Sequence, residues 1–570
     1  MNGQHTYDQL VETVVPRRDP SLVMRLARMG SFHQTRLSFM RNLLRRLRGG
    51  NWIFSIERWE VDDVGVGVGV FQAKGPERTY SLVAFANDLD PSKRSDRVIA
   101  EEWDATFTLF DGVPTQADID RLSKNVPLQE AGRISEKEIS LSRANRSVRM
   151  FEYVRDCLAT GAQPDKAKLD AVGYLMRTTA VYGSAKFGAI DRFHIEDRRE
   201  FNAPFQAELL SVFMTRWFTI EIVEHLARVK GGAKAAKLAT NIKRGLGVGN
   251  STGLGMAPFL MNHPALLNNW IMCREEALAR VRSIANPTAE TVAKCRNILA
   301  RSIDDATRWN TDHEGQADRV VEFQSDLQKL QERVSNDDFA GDLPWDALYR
   351  WAEKNLSLEG QEFVVTLLIE PHGDLVDGLT DCMAADEWRF FRIDGSVPLD
   401  TFKEQFDESY AWVMRTDYSV KEENARFWYA SEEKLEPRVG ERHDEEGAER
   451  EHPLATGRDL SAMRKDLDRF SDADSLAAFL LEHPEHRHAV RRVQINGYHP
   501  YSEVQDNLIS STMMPIDLLR CKLSFFGATK FDPRSDRWVR ITMFQNAPYP
   551  DALDQEDFDD WVYPVLKGAN

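Results

Sequence analysis

The stretch Val64-Gly-Val-Gly-Val-Gly-Val70, "VGVGVGV", alternates strictly and sets the reading of the first third of the chain. Successive side chains on a β-strand point to opposite faces, so Val64, Val66, Val68 and Val70 share one face while Gly65, Gly67 and Gly69 leave the other bare. A bare stripe weakens a strand and marks a place where something large comes close to the backbone. A covering helix or aromatic side chain is the expected occupant, with a ligand as the alternative.

Working outward, "NWIFSIERW", "RTYSLVAFAN" and "WDATFTLFDG" are further strand signals, and their short polar connections predict an antiparallel meander. Ahead of them, "SLVMRLARMGSFHQTRLSFMRNLLRRLRGG" reads as one basic amphipathic helix stopped by Gly49 and Gly50. An arginine-rich face suits a membrane surface or an acidic partner. Strands follow at once, however, so packing against its own sheet is expected.

From 136 to 360 the period lengthens to that of helices, in "SRANRSVRMFEYVRDCLA", "AKLDAVGYLMRTTAVYG", "APFQAELLSVFMTRWFTIEIVEHLARV", "PALLNNWIMCREEALARVRSIAN", "AETVAKCRNILARSI" and "ADRVVEFQSDLQKLQERV". Strand signals return in "EFVVTLLIEPHGDLVD" and "EWRFFRIDGSVP". "HAVRRVQINGYHPYSEV" and "DLLRCKLSFFGATKFDPRSDRWVRITMFQ" then read as hairpins. The charge-dense stretch 419–460 reads as a solvated loop. The expected fold is therefore α+β, with antiparallel β-rich N- and C-terminal regions (1–135 and 361–570) flanking a large helical block (136–360). "SLVAFANDLD…WDATFTLFDGVPTQADIDRL" and "VVTLLIEPHGDLVD…EWRFFRIDGSVPLDTFKEQF" share a pattern of strand, acidic loop, Trp-led strand, Asp-Gly, Val-Pro and helix. A duplicated α+β unit is the matching expectation.

Composition narrows the function classes. A net charge of −17 argues against a general nucleic-acid binder. Nothing approaches the roughly 20 apolar residues of a membrane span, and the N-terminus lacks the apolar segment of a secretory signal. Cys157, Cys273, Cys295, Cys382 and Cys521 form no CxxC pair, as expected of reduced thiols in a cytoplasmic protein. Self-association is left open.

Two segments concentrate chemistry. "GLGVGNSTGLGMAPF" (245–259) is rich in glycine but lacks the Lys of a P-loop, and a basic helix rather than a strand is expected before it, which argues against a dinucleotide fingerprint. It reads as a helix stop at Gly245 followed by a flexible joint or an anion-binding loop, with Asn250 and Ser251 beside the glycines and His263 just after. "MRTTAVYGSAKFGAIDRFHIED" (176–197) brings Arg177, Lys186, Asp191, Arg192 and His194 into a glycine-punctuated segment. Arginine and lysine suit a carboxylate or phosphate, and histidine suits proton transfer at neutral pH.

Elsewhere, Glu370 and His372 sit past the apolar run of "LLIEPHGD" and read as a surface turn, and no metal-ligand spacing is found. In the C-terminal hairpins His499 and Lys522 face the solvent side as substrate-binding candidates, whereas alternation sends Cys521 to the core. These features predict an enzyme acting on a small anionic organic substrate by non-redox acid-base chemistry, a lyase, isomerase or hydrolase. His194, His263, Lys186 and Asp191 are its catalytic candidates, and Arg177, Arg192, Asn250, Ser251, His499 and Lys522 its substrate-binding ones. No cofactor is specified. A flavin- or nicotinamide-dependent oxidoreductase and a non-catalytic scaffold are the alternatives.

Overall fold

The computed structural model describes residues 13–90, 102–128, 135–178, 195, 198–203, 205–250, 264–307, 314–382, 391–418, 428–431, 437–439, 451–454, 456–504, 520–527, 530–533 and 539–554. Four strands form where strand signals were read, but Val64–Val66 lie in the turn between the first two, with Gly65 at a φ of 90°, so the alternation is carried only from Gly67 on. Strands β1 (Ile53–Val61), β2 (Gly67–Lys74), β3 (Thr79–Ala86), β4 (Ala105–Asp111) and β5 (Glu138–Arg146) form an antiparallel meander. The bare glycine stripe is covered as expected. A Cβ on Gly69 would come within 3.2 Å of the Trp59 ring, and one on Gly65 within 3.1 Å of the Leu226 side chain.

The sheet continues with β6 (Tyr174–Thr178) and β7 (Gly247–Asn250); these two and β5 all lie inside the stretch read as helical. Further along, β8 (Trp428–Ser431), β9 (Pro437–Val439) and β10 (Glu451–Leu454) form a small separate sheet, so strands lie where a solvated loop was expected. The hairpin β11 (Lys530–Pro533) and β12 (Val539–Met543) then returns to the main sheet, as the last of the hairpins read from the sequence. Among the described residues the main sheet runs β1-β2-β3-β4-β5-β6-β7-β12-β11, antiparallel throughout except for β6 and β7, which are parallel.

Helices α1 (Pro20–Val23), α2 (Leu26–Met29) and α3 (Phe39–Gly49) replace the single N-terminal helix. Helix α4 (Gln116–Asn125) opens on a capping box between Thr115 and Asp118. Helices α5 (Phe151–Ala159) and α6 (Lys166–Val172) flank the turn into β6, and α7 (Gln206–Gly231) and α8 (Thr240–Arg244) precede β7. The block continues through α9 (Pro264–Arg282), α10 (Ala289–Thr307), α11 (Glu314–Ser335), α12 (Pro344–Asn355), α13 (Leu358–Ile369) and α14 (Gly373–Val376). Last come α15 (Leu399–Met414), α16 (Thr456–Leu467), α17 (Leu476–Glu482) and α18 (Arg487–Tyr498). None of the described helices is long and apolar enough to cross a membrane.

Helix α7 is the centre of the packing. It is buried on nearly every side, as an internal helix must be, and its Thr215 and Thr219 hydroxyls donate to carbonyls one turn back. It lies on one face of the sheet, while Ile119 and Leu122 of α4 pack with Val70, Val83 and Phe110 on the other. Arg216, fully buried, donates to the carbonyls of Leu246, Ala547, Pro548 and Arg244 at 2.7–3.1 Å and lies 3.8 Å from the Tyr549 ring centroid. One guanidinium thus fastens α7 to the entry of β7 and to the chain after β12.

The arginine-rich N-terminal segment faces inward, against α7, α9 and α13 rather than the sheet. Arg18 meets the Glu275 carboxylate at 2.7 and 2.9 Å and Glu362 at 2.8 Å. Arg274 and Arg28 add donors to Glu275 and Glu362. Arg41 meets Glu370 at 2.8 Å, and Glu359 accepts from Arg520 and from the Phe32 amide. Burial would push the Glu275 carboxyl up, but Arg18 and Arg274 outweigh it and hold the group below its ordinary range. At Glu359 burial prevails and the carboxyl lies above that range.

Other sequence expectations are corrected. "EFVVTLLI" is helix α13, not a strand, because a continuous apolar run carries no periodicity to separate the two. Its start was signalled instead by Ser357, whose hydroxyl caps the Gly360 amide. The proposed repeat is not reproduced. Strand β3 has helix α13 as its counterpart, and Ile393-Asp394 is not in a strand; residues 383–390 lie outside the described residues, and among those described the Val-Pro entry to α4 and α15 is what is shared. "HAVRRVQINGY" is helix α18 despite its Asn-Gly pair. Cys521 is buried in the core as expected, but Lys522–Phe526 wind as a π-helical turn, so the alternation argument for Lys522 and Ser524 fails.

Two outcomes follow from this packing. Replacing Arg18 by Met leaves Glu275 and Glu362 with a buried charge deficit, and denaturant unfolding should show a loss of about 3–5 kcal/mol. His33 is packed between Phe363 and Phe323, at 4.8 and 5.7 Å, and burial lowers its pKa to about 3. The unfolded chain binds this proton near pH 6.5, so His33 costs nothing above that pH. Stability then falls by up to about 1.4 kcal/mol per unit as pH drops towards 3. His33→Leu should flatten that part of the profile; an unaltered slope would assign it to other groups.

Candidate site at the carboxyl ends of two parallel strands

Two short local rules bring β6 and β7 together. Helix α6 ends at Gly173, whose φ of 81° is left-handed and whose amide bonds the Leu169 carbonyl, so the chain turns directly into β6. Helix α8 ends at Gly245 and the chain turns into β7 two residues later. The Gly247 amide then donates to the Gly173 carbonyl at 2.8 Å and sets the two strands side by side. Their connection passes through α7, which makes a β-α-β unit. Helix α7 runs against the strands: the His225 ring near its C-terminus lies 2.9 Å from the Asp62 carbonyl at the end of β1, and its N-terminus is on the side of the strands' carboxyl ends.

In such units ligands bind beyond the carboxyl ends of parallel strands. Here those ends are Arg177-Thr178 and Gly249-Asn250, with Arg177 paired in register to Gly249. The chain continues from them into 179–194 and 251–263, the two glycine-punctuated segments singled out from the sequence. The register also places Asn145 of β5 beside Arg177, and Thr542 of β12 beside Gly249. A polar row, Asn145–Arg177–Gly249–Thr542, therefore crosses four strands, and its three side chains are buried. Burial of an arginine is tolerated only against hydrogen-bonding or anionic groups.

The glycines at 247 and 249 are explained by close packing. A Cβ on Gly247 would lie 2.3 Å from the Met543 carbonyl, and one on Gly249 would lie 2.9 Å from both Arg177 Cγ and the Tyr174 ring. Gly249 thus lets the Arg177 side chain lie across β7. The helix stop at Gly245 is as read, but a strand follows it where a flexible joint was expected. One ground against a dinucleotide fingerprint therefore falls, since a strand, β7, does lead into the segment that starts at 251. The second neighbour of β7 is the antiparallel β12, however, and helix α9 follows, so the parallel strand that would carry the ribose-binding acid is lacking among the described residues.

The sequence candidates fare unequally. Arg177 pairs with Gly249, the residue before Asn250; Arg177 and Asn250 are both buried, but alternation sends their side chains to opposite faces of the sheet. Lys186, Asp191, Arg192, His194, Ser251 and His263 lie outside the described residues. His499 follows α18, and its Nδ1 is 3.4 Å from the Asn268 amide nitrogen, one turn into the helix that begins just after His263. Lys522 belongs to the turn whose Phe525 packs edge-on to Trp270 of α9 at 4.2 Å. His499 thus comes to α9, as does the turn that contains Lys522. Glu370 and His372 are structural. The first is paired with Arg41; the second is buried against Trp345, its Nδ1 2.7 Å from the Leu368 carbonyl, with its pKa lowered by burial. Sequence reading missed Asn145 and Thr542, which no local signal marks, because only strand register makes them neighbours of Arg177.

No protein-family model, curated protein or solved structure matches the chain.

Gly249→Ala should cost about 1–3 kcal/mol, because the Tyr174 ring and the inner part of Arg177 must shift. Gly245→Ala, whose nearest neighbour atom would be 3.4 Å away, should change stability by less than about 1 kcal/mol. Equal losses in thermal unfolding for the two variants would refute the tight packing of Arg177 on β7.

Proposed function

We propose that the chain binds a small anionic organic molecule beyond the carboxyl ends of β6 and β7 and acts on it by non-redox acid-base chemistry, as a lyase, isomerase or hydrolase. The observation that carries this reading is the parallel pairing of Arg177 with Gly249, which roots both chemistry-rich segments at one sheet position. An arginine at such a strand end offers a forked donor to a carboxylate or phosphate. Arg192 and Lys186, downstream of it, add charge for the same anion. Asn250 and Ser251 supply hydrogen bonds at the neighbouring strand end.

Proton movement falls to His194 or His263, whose ordinary pKa lies near neutrality, with Asp191 available to orient a ring. His499 joins from the C-terminal side through Asn268, and Lys522 through the contact of its turn with α9. The net charge of −17 is consistent with a local basic site that draws an anion inward from an otherwise repelling surface.

Calorimetry against a panel of small mono- and dicarboxylates and phosphate esters tests the reading. At least one class should bind, and Arg192→Gln should weaken it about tenfold or more. His194→Ala should keep binding within a few-fold and lower turnover by about 10²–10⁴. Binding and turnover that survive Arg192→Gln, Ser251→Ala and His194→Ala unchanged would dismiss the site and favour a scaffold role.

A further inference from the structure

Helices α15–α18 enclose a second hydrophobic core of their own, built on Leu399, Phe402, Phe406, Leu460, Met463 and Phe479. At its edge the last turn of α16 meets the turn that follows α17. Four side chains converge there, Asp466, His483, Glu485 and His486, each offering one ligand atom, and these atoms all lie within 4.8 Å of one another. Among the described residues this is the one group of at least three His, Cys, Asp or Glu side chains gathered in this way. It plays no part in the chemistry proposed above.

We propose that these four residues form a binding site for a divalent transition-metal ion of the zinc type, which ties α16 to the turn after α17.

The donor set decides the class of ion. Two imidazole nitrogens with two carboxylate oxygens suit zinc, cobalt or nickel, whereas calcium and magnesium select oxygen-only sets. Zinc bonds of about 2.0 Å place tetrahedral ligand atoms about 3.3 Å apart. Here His483 Nδ1 lies 2.9 Å from Glu485 Oε1, and His486 Nε2 lies 2.9 Å from Asp466 Oδ2. Small side-chain rotations therefore separate what are now hydrogen-bonded pairs into a coordination shell. Metal entry displaces the protons that those pairs share, and both imidazoles then act in their neutral form.

The frame is already rigid. Glu485 and His486 lie in a short turn that begins at Pro484, whose ring fixes its backbone angle, and His483 is the residue that caps it. The His486 ring is buried and stacked parallel on Phe479, with 5.7 Å between centroids, and His483 packs against Phe470 and Phe479 at 5.8 and 5.3 Å. Ring orientations fixed by packing lower the cost of assembling a site. The signal was present in the sequence as "HPEH" (483–486), but its fourth member, Asp466, lies on another helix.

The full chain, stripped with a chelator and dialysed, is titrated with Zn²⁺ against a chromophoric competitor. One equivalent should bind with a dissociation constant at or below about 1 μM, and Co²⁺ should give the visible absorption of a tetrahedral site. Glu485 is exposed, so Glu485→Gln keeps the fold and should weaken binding about tenfold or more. His483→Gln should do the same and should abolish the rise in melting temperature that Zn²⁺ gives the native chain. The proposal is overturned if no equivalent binds more tightly than about 100 μM, or if Glu485→Gln and His483→Gln bind as the native chain does, which would move the metal to other residues or leave only ordinary ion pairs.

Discussion

The dominant constraint in this molecule is the mutual neutralisation of buried arginines and carboxylates between the N-terminal segment and the helices of the central block. Arg18 alone bridges Glu275 on α9 and Glu362 on α13, and Tyr501 donates to its carbonyl across 483 residues of sequence. Arg41 and Arg520 repeat the device at Glu370 and Glu359. Such pairs add little net stability over apolar residues of equal volume, because desolvation consumes most of the Coulombic gain. Their effect is on alternatives. A helix that slides by one turn against its neighbour strands a charge in the interior, so the arrangement of α1–α3 on α9 and α13 admits few competitors. The basic face that looked suited to an external acidic surface is satisfied within the chain.

How much of this was legible follows from how local each signal is. Strands β1–β4 run over seven or more residues between polar turns, and α7 and α9–α11 over 19 or more; at those lengths strand and helix can be told apart. Strands β6 and β7, of five and four residues, are shorter than a period count can resolve. Each follows a helix through a glycine, and the sequence reading ran the first into the helix and the second into a loop. Helix α13 failed for the opposite reason, being apolar on every side. The Asp-Gly and Val-Pro resemblance between the two ends is turn chemistry, which any strand-to-helix junction can share.

The candidate site divides along the same line. Its residue types were legible because arginine, histidine and glycine in one segment advertise anion chemistry wherever they fall. That the two segments share a root was not, since parallel pairing of Arg177 with Gly249 depends on α7 carrying the chain back along the sheet. The glycines, read as freedom for the backbone, are at 247 and 249 concessions to neighbours that leave no room for a Cβ. What looked like looseness is close packing at these two positions.

The position of β12 has a consequence for how the chain is made. Strand β7 pairs with β6 on one side and with Ile541–Met543 on the other, so its second edge has no partner until that much later segment has been made. Arg216 waits equally long, because two of its four carbonyl acceptors are Ala547 and Pro548. During synthesis the growing chain therefore presents an open strand edge beside a buried-type arginine lacking its final acceptors. Both are features that invite pairing with the wrong molecule. Closure of the main sheet therefore waits for β12, and a chain cut before Ile541 loses one of the two partners of β7, and with it the strand order β7-β12-β11.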